Sequence, residues 1–275
     1  MTHSNTVNTE SVAVVTGAGR GVGRATALAL AAARHPVGLI SRTTAELDVT
    51  RDEIVSRGGT AVVAAADVRD AAALDAAFGE IETAFGAVGL LVTMAGTAQA
   101  IGPSWKVDDI AWWTDVETNL RGTFLACRRA LPAMIEAGDG RIVTVSTYAL
   151  DRPTPYLSGY VAAKAGVASF AASLSAEVGP HGVKVFLMTP GTVRTDMFEH
   201  LATSAEGRRW LPELATRGET LAPEDGARLV VRLASGEADA LAGRFVHALD
   251  DLDNLLTRTD EIKAEDAYVL RLRRL

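Results

Sequence analysis

Apolar residues in this chain follow two rhythms that alternate from one end to the other. Short β-branched or leucine-rich runs read as buried strands at Val12–Thr16, Val37–Ser41, Ala61–Ala66, Gly89–Met94, Arg141–Ser146, Val183–Met188 and Arg244–Ala248. Between them lie stretches with helical spacing. One follows the first strand to about Ala33, and the others are Thr44–Arg57, a helix capped by Asp70 that runs to Phe85, a long one from about Asp108 to Ala137, Tyr156–Gly179, and one opened by Pro223. Strand–helix alternation on this scale predicts an α/β fold, a doubly wound parallel sheet with helices on both faces. Residues 1–10 read as a loose tail and residues 11–275 as one domain, because no repeat, low-complexity block or linker interrupts them. Residues 196–222 lose the periodicity and mix charges around Trp210, which predicts a mobile lid. The end, 250–275, is acidic and then basic and reads as a helical extension.

Composition narrows the class. The chain is 48% hydrophobic and 22% charged, with 25 glycines, as expected of a soluble globular protein. Its net charge of −7 and lack of a basic cluster argue against nucleic acid or an anionic membrane as partner. The one cysteine, Cys127, excludes an internal disulfide framework and suits a reducing compartment. The polar N-terminus lacks a signal pattern, and no apolar stretch is read as approaching the roughly 20 residues of a membrane helix. A cytoplasmic location is expected. The five histidines are scattered, without helical pairing or cysteine neighbours, so no metal site is expected.

The chemistry collects at strand ends. After Thr16 the chain reads Gly17-Ala18-Gly19-Arg20-Gly21-Val22-Gly23, a glycine turn between a strand and a helix, which presents helix N-terminal amides to a phosphate. The register is Gly17-x-x-x-Gly21-x-Gly23 rather than the Gly-x-Gly-x-x-Gly fingerprint. At the end of the second strand an acid would suit the ribose hydroxyls of NAD(H). Ser41-Arg42 stands there instead, and with Arg20 it points to the 2′-phosphate of NADP(H), NAD(H) being the lesser candidate. Asp67-Val68 ends the third strand, where an adenine ring could lie, and Ala95-Gly96 follows the fourth. Pro190-Gly191 follows the sixth. Ligands of parallel sheets bind at the carboxyl ends of the strands, so one ligand could meet every one of these motifs.

The fifth strand delivers Ser146 and Thr147, and the next helix carries Tyr160 and Lys164 four residues apart on one face. A free phenol has a pKa of about 10, and a nearby ammonium favours its ionised form. Hydroxyl, phenol and ammonium together can move a proton to or from a carbonyl or alcohol oxygen. Strand alternation lets only one of Ser146 and Thr147 face a ligand. Candidate pocket residues are Trp105, Tyr148, Tyr156 and the lid from Met197 to Trp210.

With these motifs in order, the chain resembles the short-chain dehydrogenase/reductase family from about Ser11 to Ala248. The family's Thr-Gly-x-x-x-Gly-x-Gly is similar to Thr16–Gly23, its Tyr-x-x-x-Lys to Tyr160 and Lys164, its Pro-Gly-x-Val-x-Thr to Pro190–Thr195, and its Asn-x-x-Gly to the setting of Asn119. The resemblance implies a Rossmann fold and an NADP(H)-dependent interconversion of a ketone or aldehyde with an alcohol. It also implies that Tyr160 is the acid/base, that Lys164 holds the nicotinamide ribose and that Asn119 holds a relay water. Val193 and Thr195 would meet the carboxamide, and assembly as a homodimer or homotetramer would follow. The family's serine count lands on Thr147, with Ser146 as the alternative. Its Asn-Asn-Ala-Gly is Thr93-Met94-Ala95-Gly96 here, where Thr93 is expected to keep a hydrogen bond. Epimerisation, NAD-linked alcohol oxidation and a non-catalytic dinucleotide sensor are the other readings.

Overall fold

A computed structural model describes residues 11–216 and 220–271, and the Tyr148 side chain, a candidate for the pocket, lies outside what it describes. The expected tail, 1–10, lies outside the described residues. In chain order the elements are β1 (Val12–Thr16), α1 (Gly21–Ala32), β2 (Val37–Ser41), α2 (Thr44–Ser56), β3 (Ala61–Ala65), α3 (Ala71–Phe85) and β4 (Val88–Thr93). Next come α4 (Asp109–Val116), a π-helical turn (Glu117–Arg121), α5 (Gly122–Ala137), β5 (Gly140–Val145), α6 (Ser158–Val178) and β6 (Val183–Thr189). The chain continues through α7 (Asp196–Thr203), α8 (Ala205–Trp210), α9 (Pro212–Ala215), α10 (Pro223–Ala234), β7 (Phe245–His247), α11 (Leu252–Thr257) and α12 (Thr259–Ala264).

All strand pairs are parallel, in the order β3-β2-β1-β4-β5-β6-β7. This is the doubly wound Rossmann arrangement, whose strand order reverses between β1 and β4 and opens a crevice at their carboxyl ends. Residues along each strand divide between the two faces. Val12 and Val14 of β1 join one core with Phe78, Ile142, Val167 and Val185. Ala13 and Val15 join the other with Leu30, Val143, Phe186 and Val230. A strand buried on both faces must be apolar at every position, which is why these runs are continuous rather than alternating.

Local chemistry sets several boundaries. Asp70 caps α3 as expected, accepting from the amides of Ala72 and Ala73. Gly138 ends α5 with φ +66°, a left-handed conformation in which glycine has no Cβ to clash. Pro223 opens α10, and the Asp225 carboxylate accepts from the Ala222 amide 2.9 Å away.

Three expectations change. The long helix from Asp108 is interrupted by the π turn that carries Asn119, an irregularity that hydrophobic periodicity does not reveal. The helix expected from Tyr156 begins at Ser158, because Tyr156 takes φ +66° and cannot belong to it. The stretch 250–264 forms two short helices rather than one extension. In addition, Ser158–His181 is long and apolar enough to cross a membrane by length and composition, contrary to the sequence reading. Its packing on β6 and α4 and its buried Lys164 make it a helix laid against the sheet.

Candidate active site

The strand ends converge on a cleft of about 920 Å³. It is lined by Gly17, Gly19, Arg20, Gly21, Val22, Gly23, Ser41, Arg42, Asp67, Val68, Ala95, Gly96, Pro190, Gly191, Val193 and Thr195, which are all the cofactor-side residues expected from the sequence. The glycine turn forms a cradle that side chains would fill. A Cβ on Gly23 would lie 2.1 Å from the Gly17 carbonyl oxygen, and one on Gly17 would lie 2.9 Å from the Ala95 backbone. Gly17 has φ +70°, which also disfavours other residues. A pyrophosphate is a group of the kind such a bare helix N-terminus accepts, so these residues fit a dinucleotide.

At the adenosine end, Asp67 is already engaged. Arg69 Nε donates to both of its oxygens at 3.1 Å, Nη2 donates at 2.7 Å, and the Arg69 amide donates at 2.9 Å. The Arg69 guanidinium holds the Asp67 carboxyl below the usual carboxylate range, and Arg42 adds to the effect. Arg42 has no ion pair among the described residues, whereas Arg20 bonds Asp196 at 2.9 Å and lies 3.9 Å from Glu46. Glu46, in the first turn of α2, sits against Gly19 beside Ser41, with its Oε2 3.0 Å from where a Gly19 Cβ would be. The absence of an acid at the end of β2 thus gives an incomplete picture, because the following helix brings a carboxylate into the same corner.

At the other end of the cleft, Lys164 is 5% exposed and its ammonium donates to the Val145 carbonyl at 2.8 Å. Burial pushes its pKa down to about 8. Its Nζ lies 5.8 Å from the centre of the Tyr160 ring. Ser146 and Thr147 lie just past the end of β5 and both line the cleft, but their hydroxyls have different partners. Ser146 turns toward α6 and donates to the Lys164 carbonyl at 3.0 Å, while Thr147 accepts from the Ala149 amide at 3.2 Å and lines the cleft. Asn119 is fully buried behind the cleft. Its Nδ2 donates to the carbonyls of Thr97 (2.7 Å) and Asp115 (2.8 Å), and its Oδ1 has no partner.

A lid of three short helices closes the site. Thr195 caps α7, accepting from the Phe198 amide, and the Arg20–Asp196 pair ties the start of α7 to the glycine turn. Leu201, Leu211 and Leu214 of the lid pack with Leu157 and Tyr160 in a small apolar cluster, and Trp210 meets Tyr156 with ring centres 5.0 Å apart. Three expectations fail. Trp105 is 80% exposed, and neither it nor Tyr156, which packs in the apolar cluster, lines the cleft. Thr93 Oγ1 is buried without a partner, because the Thr16 hydroxyl rather than Thr93 accepts from the Ala95 amide. The sequence reading also missed Asp115, buried at the cleft wall. Its position four residues before Asn119, on the same helix face, was the available signal.

Lysine burial has a pH consequence. Lys164 has a pKa of about 8 in the folded chain, and an unfolded lysine titrates near 10.4. Below the folded value both states hold the proton and the folded chain bears the full cost of burying the charge. Between the two values only the unfolded chain holds it, so stability rises with pH by up to about 1.4 kcal/mol per pH unit from this group. Urea titrations between pH 7 and 10 are expected to show this rise in the native chain and to lose it in Lys164→Met.

The short chain dehydrogenase family model matches residues 11–206. The short-chain reductase protein NovJ of Streptomyces niveus is 37% identical, over 88% of this chain and 93% of its own. A 3-oxoacyl-[acyl-carrier-protein] reductase of Synechocystis sp. is 34% identical, over 86% and 93%. Among solved structures, actinorhodin polyketide ketoreductase with NADPH superposes with a TM-score of 0.78 at 28% identity, covering 86% of this chain and 95% of that one. Levodione reductase superposes with a TM-score of 0.79 at 26% identity, over 86% and 95%. A glycine cradle at the switch point, a tyrosine–lysine pair on α6 beside the end of β5, and relatives matched over most of both lengths place this chain in the short-chain dehydrogenase/reductase family of oxidoreductases.

Proposed function

We propose that this protein is an NADP(H)-dependent ketoreductase acting on a small-molecule carbonyl, with Tyr160 as its general acid/base. The observation that carries this reading is the buried Lys164 ammonium beside the Tyr160 ring and Thr147, at the end of β5. When bound, the nicotinamide supplies the hydride. Thr147 Oγ1 donates to the substrate oxygen and holds it toward Tyr160, whose Oη delivers the proton to that oxygen. The Lys164 ammonium favours the phenolate that results. Asn119 Oδ1, buried and unpartnered, accepts from the water or ammonium that refills the proton. Ser146 holds the Lys164 backbone and takes no part in the chemistry. The lid's leucines exclude water from the reacting end.

The NADP(H) preference rests on Arg42, exposed at the ribose end of the cleft and without an ion pair among the described residues, with Arg20 in the same lining. Glu46 favours a second reading, an NAD-linked enzyme in which its carboxylate meets the ribose hydroxyls. Relatives described as 3-oxoacyl-[acyl-carrier-protein] and polyketide ketoreductases support the reductive direction. On the outer faces of α5 and α6, Phe124 is 44% exposed and meets Phe170 edge to face. A second copy packed on these helices would cover them, giving a homodimer or homotetramer; sedimentation of a single monomer would refute that assembly. A reducing, cytoplasmic setting suits the lone buried thiol of Cys127.

Turnover is tested with a panel of β-keto esters and cyclic diketones, following NADPH absorbance. Tyr160→Phe is expected to lose about 100-fold or more in kcat while still binding NADPH. Thr147→Val is expected to lose about tenfold or more, and Ser146→Ala less than about threefold. Equal losses at 146 and 147 would overturn the division of roles. Fluorescence titration should show NADPH binding at least about tenfold tighter than NADH, a difference of about 1.4 kcal/mol. Arg42→Ala should remove that preference and Glu46→Gln should enlarge it. A native preference for NADH would instead establish the Glu46 reading.

A further inference from the structure

Asp115 is a fully buried carboxylate that the mechanism above does not use. It stands in α4, just before the π turn that presents Asn119. Its Oδ1 accepts from the Gln99 amide at 2.8 Å and its Oδ2 from the Ala100 amide at 3.0 Å. These amides belong to the irregular segment after β4, which has no strand or helix ladder to satisfy them. The same segment forms a wall of the cleft through Thr97, Ala98 and Gln99. Burial pushes the Asp115 carboxyl upward, and the two amides and the charge of His200 on the lid oppose that shift. An unpaired acid there would be costly, so its two bonds fix the segment firmly.

Asn119 depends on that segment. Its amide nitrogen donates to Thr97 O and to Asp115 O, so both of its N–H groups are used and its oxygen must point away from them. Asn119 Oδ1 lies 2.7 Å, and Lys164 Nζ 3.7 Å, from the point a Cβ on Gly96 would occupy. Oxygen and ammonium therefore face one small volume above Gly96. If the Thr97 carbonyl shifted, the Asn119 amide would lose one of its two acceptors and be free to turn over.

We propose that Asp115 is a positioning residue: its buried carboxylate holds residues 97–100 and, through the Thr97 carbonyl, fixes the direction in which Asn119 presents its oxygen to the proton-transfer end of the cleft. The proposal rests on the ketoreductase reading only for what Asn119 serves. The carboxylate never touches substrate or cofactor. It acts two links away, and it assigns a role to a residue that family motifs do not mark.

The test uses Asp115→Asn, which keeps the shape but sets an amide N–H₂ against one of the two backbone N–H groups. With the panel ketone that the native enzyme turns over fastest, kcat is expected to fall about tenfold or more, with KM for NADPH changed less than about threefold. The solvent deuterium isotope effect on kcat should rise as the proton step becomes limiting. In an Asn119→Ala background the same substitution should cost less than about threefold, because both changes cut one chain of contacts. Unchanged kcat, or losses that multiply, would overturn the proposal. Should the variant fail to fold, amide exchange in the native protein decides. Gln99 and Ala100 amides exchanging as slowly as strand amides sustain the hold on the segment, and fast exchange of both refutes it. If the native enzyme turns over no ketone with either coenzyme, the ketoreductase reading fails, and the same exchange rates still judge the positioning claim.

Discussion

Lys164 carries its ammonium into the interior where α6 crosses the end of β5, and the Val145 carbonyl receives it at 2.8 Å. Removing that charge from water is unfavourable, as the fall of its pKa to about 8 records. Much of the site's geometry serves this burial. The Ser146 hydroxyl ties the Lys164 backbone to the strand end, Asn119 Oδ1 faces the same volume above Gly96, and the lid cluster covers Tyr160. A charge held near its own pKa beside a phenol is a responsive device, and a fully solvated lysine would not be. The parallel sheet makes it possible, because strands buried on both faces deliver their ends into a region that side chains shield from water.

Two of the charged residues elsewhere in the cleft are already paired. Arg69 occupies Asp67 and Asp196 occupies Arg20, so neither residue is simply available to a nucleotide. The Arg20–Asp196 pair is exposed, and such pairs contribute only about 0–1 kcal/mol, so an incoming phosphate could displace it at little cost. Arg42 and Glu46, of opposite charge, both line the same corner of the cleft.

The fold was legible because each strand is a short apolar run that ends in chemically distinctive residues, and parallel topology places all those ends together. Tyr160 and Lys164 were legible for a similar reason, since four residues on one helix mean one face. What escaped the sequence arises from tertiary register. Ser146 and Thr147 differ in their hydrogen-bond partners, the Lys164 carbonyl for one and the Ala149 amide for the other, and spacing along the chain carries no trace of that. Glu46 reaches the ribose corner from the next helix rather than from the strand end, so a search at the strand terminus passes over it. The π turn at Asn119 shifts the helix by one residue, which hydrophobic spacing does not register. Trp105 has the composition of a pocket residue, yet it lies on the surface, where its sequence gives no sign of which way it faces. Thr93 lost its expected bond to Thr16, one strand away.

The proposed reaction requires hydride transfer at the nicotinamide end of this cleft. The most direct measurement supplies NADPH carrying deuterium on one face of nicotinamide C4 with a ketone substrate, and examines the alcohol by mass spectrometry and NMR. One deuterium at the carbinol carbon, from one C4 face only, is the predicted result. An alcohol free of deuterium from both C4-labelled cofactors, or no alcohol at all from a protein that binds NADPH tightly, would contradict it.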